Sequence, residues 1–342
     1  MGGQQDGTAT GSGGADASSR DTRPWRLRHP VLSRSLLYGV GIALLVGLVM
    51  AWAGRRAADE ADRHLALQKK LENLSIPLQQ DPSGTVVLRA LAEDYPLDGL
   101  PEDLRGLHHR MRALALVSAG RLDEAIEAGK QAIEAGPAGL ARELARVEHA
   151  RMLLRAERGE QALEGLGPAP SAATLSAPGV LPMVLAWRAQ AEATVAARAG
   201  RQDEAAGHLA RAFRGLPDPV DPATELFFEG HDWSAGEIAF ALARDLADLQ
   251  DPSEAAGTWR RLLRIAPADA RVAVEAAVGL EAAGAPTDAE TALGRARDID
   301  PVAAASYLTA LLPSLGAERA AALRALAQNA ALPLKSSGPG AR

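Results

Sequence analysis

The sequence predicts an all-α protein, an α-solenoid of antiparallel helix pairs placed after one N-terminal transmembrane helix. Three observations carry this. Hydrophobic residues make up 47% of the 342 but aromatics only 4%, and much of the apolar share is Ala and Leu, which favour helices over strands. One spacing of Gly, Ala, Ala and Pro recurs along the body of the chain. One apolar run near the N-terminus carries no charge.

Residues 1–34 are expected to be a disordered tail. Residues 1–22 are rich in Gly, Ser, Thr and Ala with no large apolar side chain beyond Met1, so they cannot bury a core. Residues 35–54 are expected to span a bilayer. From Leu36 to Gly54 the chain runs 19 residues without a charge, about 30 Å of helix. Tyr38 and Trp52 lie near its ends, and Arg34, Arg55 and Arg56 flank it. Five Lys/Arg lie within reach on each side (Arg20, Arg23, Arg26, Arg28 and Arg34; Arg55, Arg56, Arg63, Lys69 and Lys70), so the positive-inside count is tied. A short Arg-bearing tail is harder to translocate than to retain. The expectation is therefore a single-pass protein with the N-terminus cytoplasmic, the solenoid on the extracytoplasmic (periplasmic) side, and lipid contact through 36–54. Ala51-Trp52-Ala53 offers the competing reading of a cleaved signal.

Residues 55–82 read as a helix continuing from the span, with a linker. The solenoid is expected over 83–331 and a second disordered tail over 332–342. Residues 112–137 and 192–217 both contain A-G-R-x-D-E-A, then Ala seven residues later and Pro five after that. The members are Gly120, Ala125, Ala132, Pro137 and Gly200, Ala205, Ala212, Pro217. A third copy has Gly284, Ala289, Ala296 and Pro301; a fourth keeps Ala255 and Pro267, with Gln250 and Leu262 at the other two places. Pro267 to Pro301 is 34 residues. Gly ends a first helix where a left-handed turn is needed. The two Ala share one face of a second helix and let neighbours approach closely. Pro stops the unit. Start signals agree: Asp251-Pro252-Ser253-Glu254, Ser234-x-x-Glu237 and Thr287-x-x-Glu290 fit N-caps or capping boxes.

This pattern resembles the tetratricopeptide repeat, a helix–turn–helix unit of the same period. The small residue of each first helix falls on Ala113, Ala193, Ala243 and Ala277. The bulky aromatic of the second helix is kept only as Trp259, with Gly129, Leu209 and Leu293 elsewhere. A segment at 218–236, DPVDPATELFFEGHDWSAG, breaks the period as an insertion.

No phosphate loop, zinc-protease motif, nucleophile elbow or metal-spaced cluster occurs, and there is no Cys. No catalytic, cofactor or metal residue is therefore assigned. The net charge of −6, from 37 basic and 43 acidic residues, argues against nucleic acid as partner. Glu229, His231 and Asp232 in the insertion form the one local group that could do acid–base or metal chemistry. The blander reading is that Phe227, Phe228 and Trp233 pack the insertion down while Asp232 or Ser234 caps the next helix.

The resemblance implies a non-enzymatic scaffold or adaptor that binds protein partners on the concave face of the first helices, and together with the expected membrane span it suggests a bacterial envelope assembly. By register that face includes Arg110, Trp187, Gln190, Thr194, Glu237, Phe240, Arg244 and Arg271. A Lys/Arg–Asn clamp for a C-terminal carboxylate is not reproduced. The alternatives are an enzyme using the 218–236 insertion and a self-assembling structural spacer.

Overall fold

The structure, a computed structural model, describes residues 30–81, 83–175 and 178–334. Of the disordered tails expected at 1–34 and 332–342, residues 1–29 and 335–342 lie outside them; the remainder corrects the expectation, since 30–34 already belong to a helix and Leu332 is buried against the core. The chain divides into two compact units between Leu65 and Ala66.

The first unit holds most of helix α1 (Pro30–Glu72). Here the sequence expectation fails. Among the described residues no helix is long and apolar enough to cross a membrane. This overturns the single-pass, periplasm-facing assignment and the lipid contact assigned to 36–54. Within α1 the described apolar side chains run from Leu44 to Gly54. The same helix then runs without a break into Arg55, Arg56, Asp59, Glu60, Asp62 and Arg63. The first eight residues of the expected span, 36–43, lie outside the described side chains.

The second unit is a stack of helix pairs. It opens with the end of α1, then α2 (Ser75–Gln80) and α3 (Thr85–Glu93). Leu71, Leu74 and Leu78 are already buried in its core. The pairs that follow are α4 (Glu102–Ser118) with α5 (Leu122–Ala135), α6 (Leu140–Arg155) with α7 (Gly159–Leu166), and α9 (Leu181–Arg198) with α10 (Gln202–Gly215). A single turn, α8 (Ala172–Leu175), lies between the second and third pairs. Then come α11 (Ala235–Ala247) with α12 (Pro252–Ile265), α13 (Ala270–Ala282) with α14 (Pro286–Ile299), and α15 (Pro301–Leu311) with α16 (Ala317–Asn329). First helices touch the first helices of the next pair: α4 meets α6, α6 meets α9, α9 meets α11, and α11 meets α13.

The repeat positions do what their chemistry requires. Gly120, Gly200 and Gly284 sit at φ of 71°, 76° and 72°, the left-handed turn between the helices of a pair. Ala113, Ala193, Ala243 and Ala277 are buried, as are Ala125, Ala132, Ala205, Ala255, Ala289 and Ala296. Ala212 is only partly buried. Two absent side chains have local explanations. A Cβ on Gly129 would lie 3.1 Å from His149 of α6, so the imidazole fills the space of the missing bulky residue. A Cβ on Gly279 would lie 2.1 Å from the Trp259 ring, which packs flat on that bare backbone. At Gly106, a Cβ would lie 2.4 Å from the Gly136 Cα, so two helices meet there backbone to backbone.

Asp251 caps α12 through the amides of Ser253 and Glu254, and Ser234 with Glu237 makes a complete capping box on α11. Thr287 caps nothing: α14 already starts at Pro286, so the Thr lies inside its first turn. Pro301, expected to stop a unit, also opens the next one, at the first turn of α15 behind the N-cap Asp300. The insertion departs from the all-α expectation. It folds as an antiparallel hairpin, β1 (Glu225–Phe228) and β2 (His231–Ser234), paired Glu225 to Ser234 through Phe228 to His231.

Candidate interaction groove

The register leaves Glu229 and Gly230 as a two-residue turn, with φ of 50° and 85°. Positive φ at both places matches the right-handed twist of the strands. Alternation along β1 turns Leu226 and Phe228 inward, and both are buried. The Ser234 that ends β2 is also the N-cap of α11, so the hairpin is rigidly joined to a first helix.

The hairpin tip is gripped by first helices of earlier pairs. Arg110 of α4 donates twice to Glu148 of α6, at 2.7 Å each, and once to the Phe227 carbonyl at 2.8 Å. Glu148 in turn accepts from the Glu229 amide at 2.8 Å. The Glu229 carboxylate lies 3.1 Å from Arg151 and 3.3 Å from Arg155, one turn apart on α6. The Gly230 carbonyl accepts from Gln79 of α2. Phe228 stacks on Trp187 of α9 at 4.6 Å, and Trp233 meets the same indole edge-on at 4.8 Å. The Trp233 Nε1 donates to the Phe228 carbonyl.

The structure therefore divides the eight residues expected on the first-helix face. Arg110 and Trp187 are buried, and the hairpin occupies them. Gln190, Thr194 and Arg244 come together beside the hairpin, in a cavity of about 270 Å³ that also takes in Arg151, Arg155 and Trp233. Gln190 donates to Asp245 at 2.7 Å, Arg244 lies 3.0 Å from the same side chain, and the Thr194 hydroxyl donates to the Gln190 carbonyl. Phe240 and Arg244 line the next cavity, of about 340 Å³, with Trp259 and Glu275. Burial pushes the Glu275 carboxyl above the usual Glu value. Arg271 lines a third and more apolar cavity of about 480 Å³, where its guanidinium lies 5.8 Å from the Tyr307 ring centre. Glu237 is spent on the capping box and on Arg271 at 3.2 Å.

The acid–base group considered for the insertion does not assemble. Glu229 is held by two guanidinium groups, while His231 and Asp232 are exposed on β2. Among the described residues no group of three His, Asp or Glu could hold a metal ion. His108, His109 and His149 have lowered pKa values, chiefly through burial.

Sequence reasoning missed Glu148, Arg151 and Arg155. They lie in the degenerate pair between clear repeats, so no motif points to them. The available signal was Leu-Phe-Phe-Glu-Gly-His-Asp-Trp itself: two short runs around a turn ending in Gly read as a hairpin. A hairpin there needs polar partners for its tip.

No family model matches the chain, and no curated protein does. Among solved structures, the chain is similar to one described as YrrB, a TPR protein with an unusual peptide-binding site. The identity is 19%, the match covers 63% of this chain and 92% of that one, and the TM-score is 0.31. At that TM-score the likeness carries no argument, and the fold rests on the helix pairs described above.

Proposed function

We propose that the second unit is a protein-interaction scaffold which takes an extended segment of a partner along its first-helix face. The observation that carries this is the line of cavities beyond the hairpin. There Gln190, Thr194, Phe240 and Arg244 are partly or fully exposed, on helices whose opposite faces make the core. Aromatic and Arg side chains in such concavities dominate interface energies. A photo-crosslinking amino acid at Thr194 or Arg244 should trap one defined segment of one partner. The same group at Glu254, on the second helix α12, should not. Equal trapping at both places would refute the reading.

A second reading, self-assembly, is favoured by the first unit. Leu44, Leu45, Leu48, Met50 and Trp52 are 62–70% exposed on α1, more contiguous apolar surface than a lone chain usually leaves uncovered. Leu45→Glu with Leu48→Glu should then lower the oligomeric state of the full chain in light scattering.

A further inference from the structure

The cavity beside the hairpin is locally basic. Its wall holds four guanidinium groups, Arg151, Arg155, Arg198 and Arg244, and one carboxylate, Asp245. Counting the adjacent Glu229, the local balance is +2 in a chain of net −6. Arg155 and Arg244 have side chains 49% and 56% exposed, so both still have donors facing water. The molecule also supplies its own example of an occupant. Phe227 and Phe228, the end of strand β1, and Glu229, the first turn residue, lie against the same face. The Phe227 carbonyl is taken by Arg110, the Glu229 amide by Glu148, the Phe228 ring by Trp187 and the Glu229 carboxylate by Arg151 and Arg155.

We propose that this cavity takes an acidic side chain from an extended segment of the partner protein, with an adjoining aromatic residue seated against Phe240 and Trp259. The inference rests on the groove reading above and adds the partner's chemistry to it. Guanidinium groups suit the site because their planar fork pairs two oxygens of a carboxylate at once. The apolar neighbour is required because an exposed ion pair alone contributes little.

The test uses the full chain and three fluorescein-labelled peptides, Phe-Glu-Phe-Glu-Phe between glycines and its Gln and Lys counterparts. Fluorescence anisotropy should give a Kd for the Glu peptide about tenfold or more below that of the Gln peptide, the size expected of close charge pairs. The Lys peptide should be weaker still, and added salt should weaken the Glu peptide selectively. Arg155→Gln and Arg244→Gln should each lose this preference while melting as the parent does. Arg201→Gln, at the N-cap of a second helix, should keep it. Equal binding of the Glu and Gln peptides overturns the inference, as does failure of all three to bind. The groove reading stands or falls separately, on the crosslinks at Thr194 and Arg244.

Discussion

Replacing Arg110 with Met removes the centre of the clamp on the hairpin. The Glu148 side chain is 2% exposed and receives two hydrogen bonds from Arg110, at 2.7 Å each, and one from the Glu229 amide. Arg110→Met leaves Glu148 Oε2 buried without that donor and frees the Phe227 carbonyl. Stranding one partner of a buried ion pair costs about 3–5 kcal/mol. Removing both partners, as Arg110→Met with Glu148→Leu, avoids the stranded charge. The double variant then loses two hydrogen bonds to the hairpin backbone, at about 1 kcal/mol each. It should therefore be more stable than Arg110→Met alone, by about 1–3 kcal/mol from the difference of those two sums. Breaking the exposed Arg201–Glu204 pair, with side chains 51% and 46% exposed, should cost at most about 1 kcal/mol. Urea unfolding followed by circular dichroism reads all four proteins, and hydrogen exchange at Leu226–Trp233 reports the hairpin directly. If Arg110→Met lies within about 1 kcal/mol of the parent, or the double variant is the less stable of the two, the clamp is not what holds the hairpin.

Three further outcomes follow from the packing. Gly106→Ala drives a methyl into the Gly136 backbone, 2.4 Å from its Cα, and should cost about 1–3 kcal/mol in thermal unfolding. By contrast, Gly207→Ala faces open space and should cost nothing. Ser234→Ala removes the side chain that accepts from the Glu237 amide at 3.2 Å; calorimetry should show a loss of about 0.5–2 kcal/mol. For the pH dependence, burial lowers the His108, His109 and His149 pKa values below the ordinary 6.5. The unfolded chain then binds protons more strongly, so their share of stability is complete above about pH 6.5 and is lost as the pH falls toward the folded values. Glu275, raised by burial, acts in the opposite sense over the range above 4.5. Three imidazoles against one carboxyl predict a lower Tm at about pH 5.5 than at about 7.5, and His149→Gln should shrink the difference. A flat profile refutes the assignment.

The sequence by itself determined the helix pairs of the second unit. Its signals are local: Gly at a left-handed turn, two Ala on one face, Asp or Ser at an N-cap. Each acts within one helix–turn–helix, and each is found in place at Gly200, Ala125 and Ala132, and Asp251. Local reading erred where context dominates. The uncharged run at 36–54 reads as a span, yet among the described residues no helix is long and apolar enough to cross a membrane. Tertiary structure alone decided the groove. Arg110 and Trp187 lie on the expected face, yet they are taken by a hairpin more than a hundred and about forty residues away in sequence, respectively. Burial of Phe228 against Trp187, and of Glu148 between Arg110 and the hairpin amide, depends on contacts that no periodicity records. What remains open on that face, from Gln190 to Arg244, is set by what the hairpin leaves uncovered.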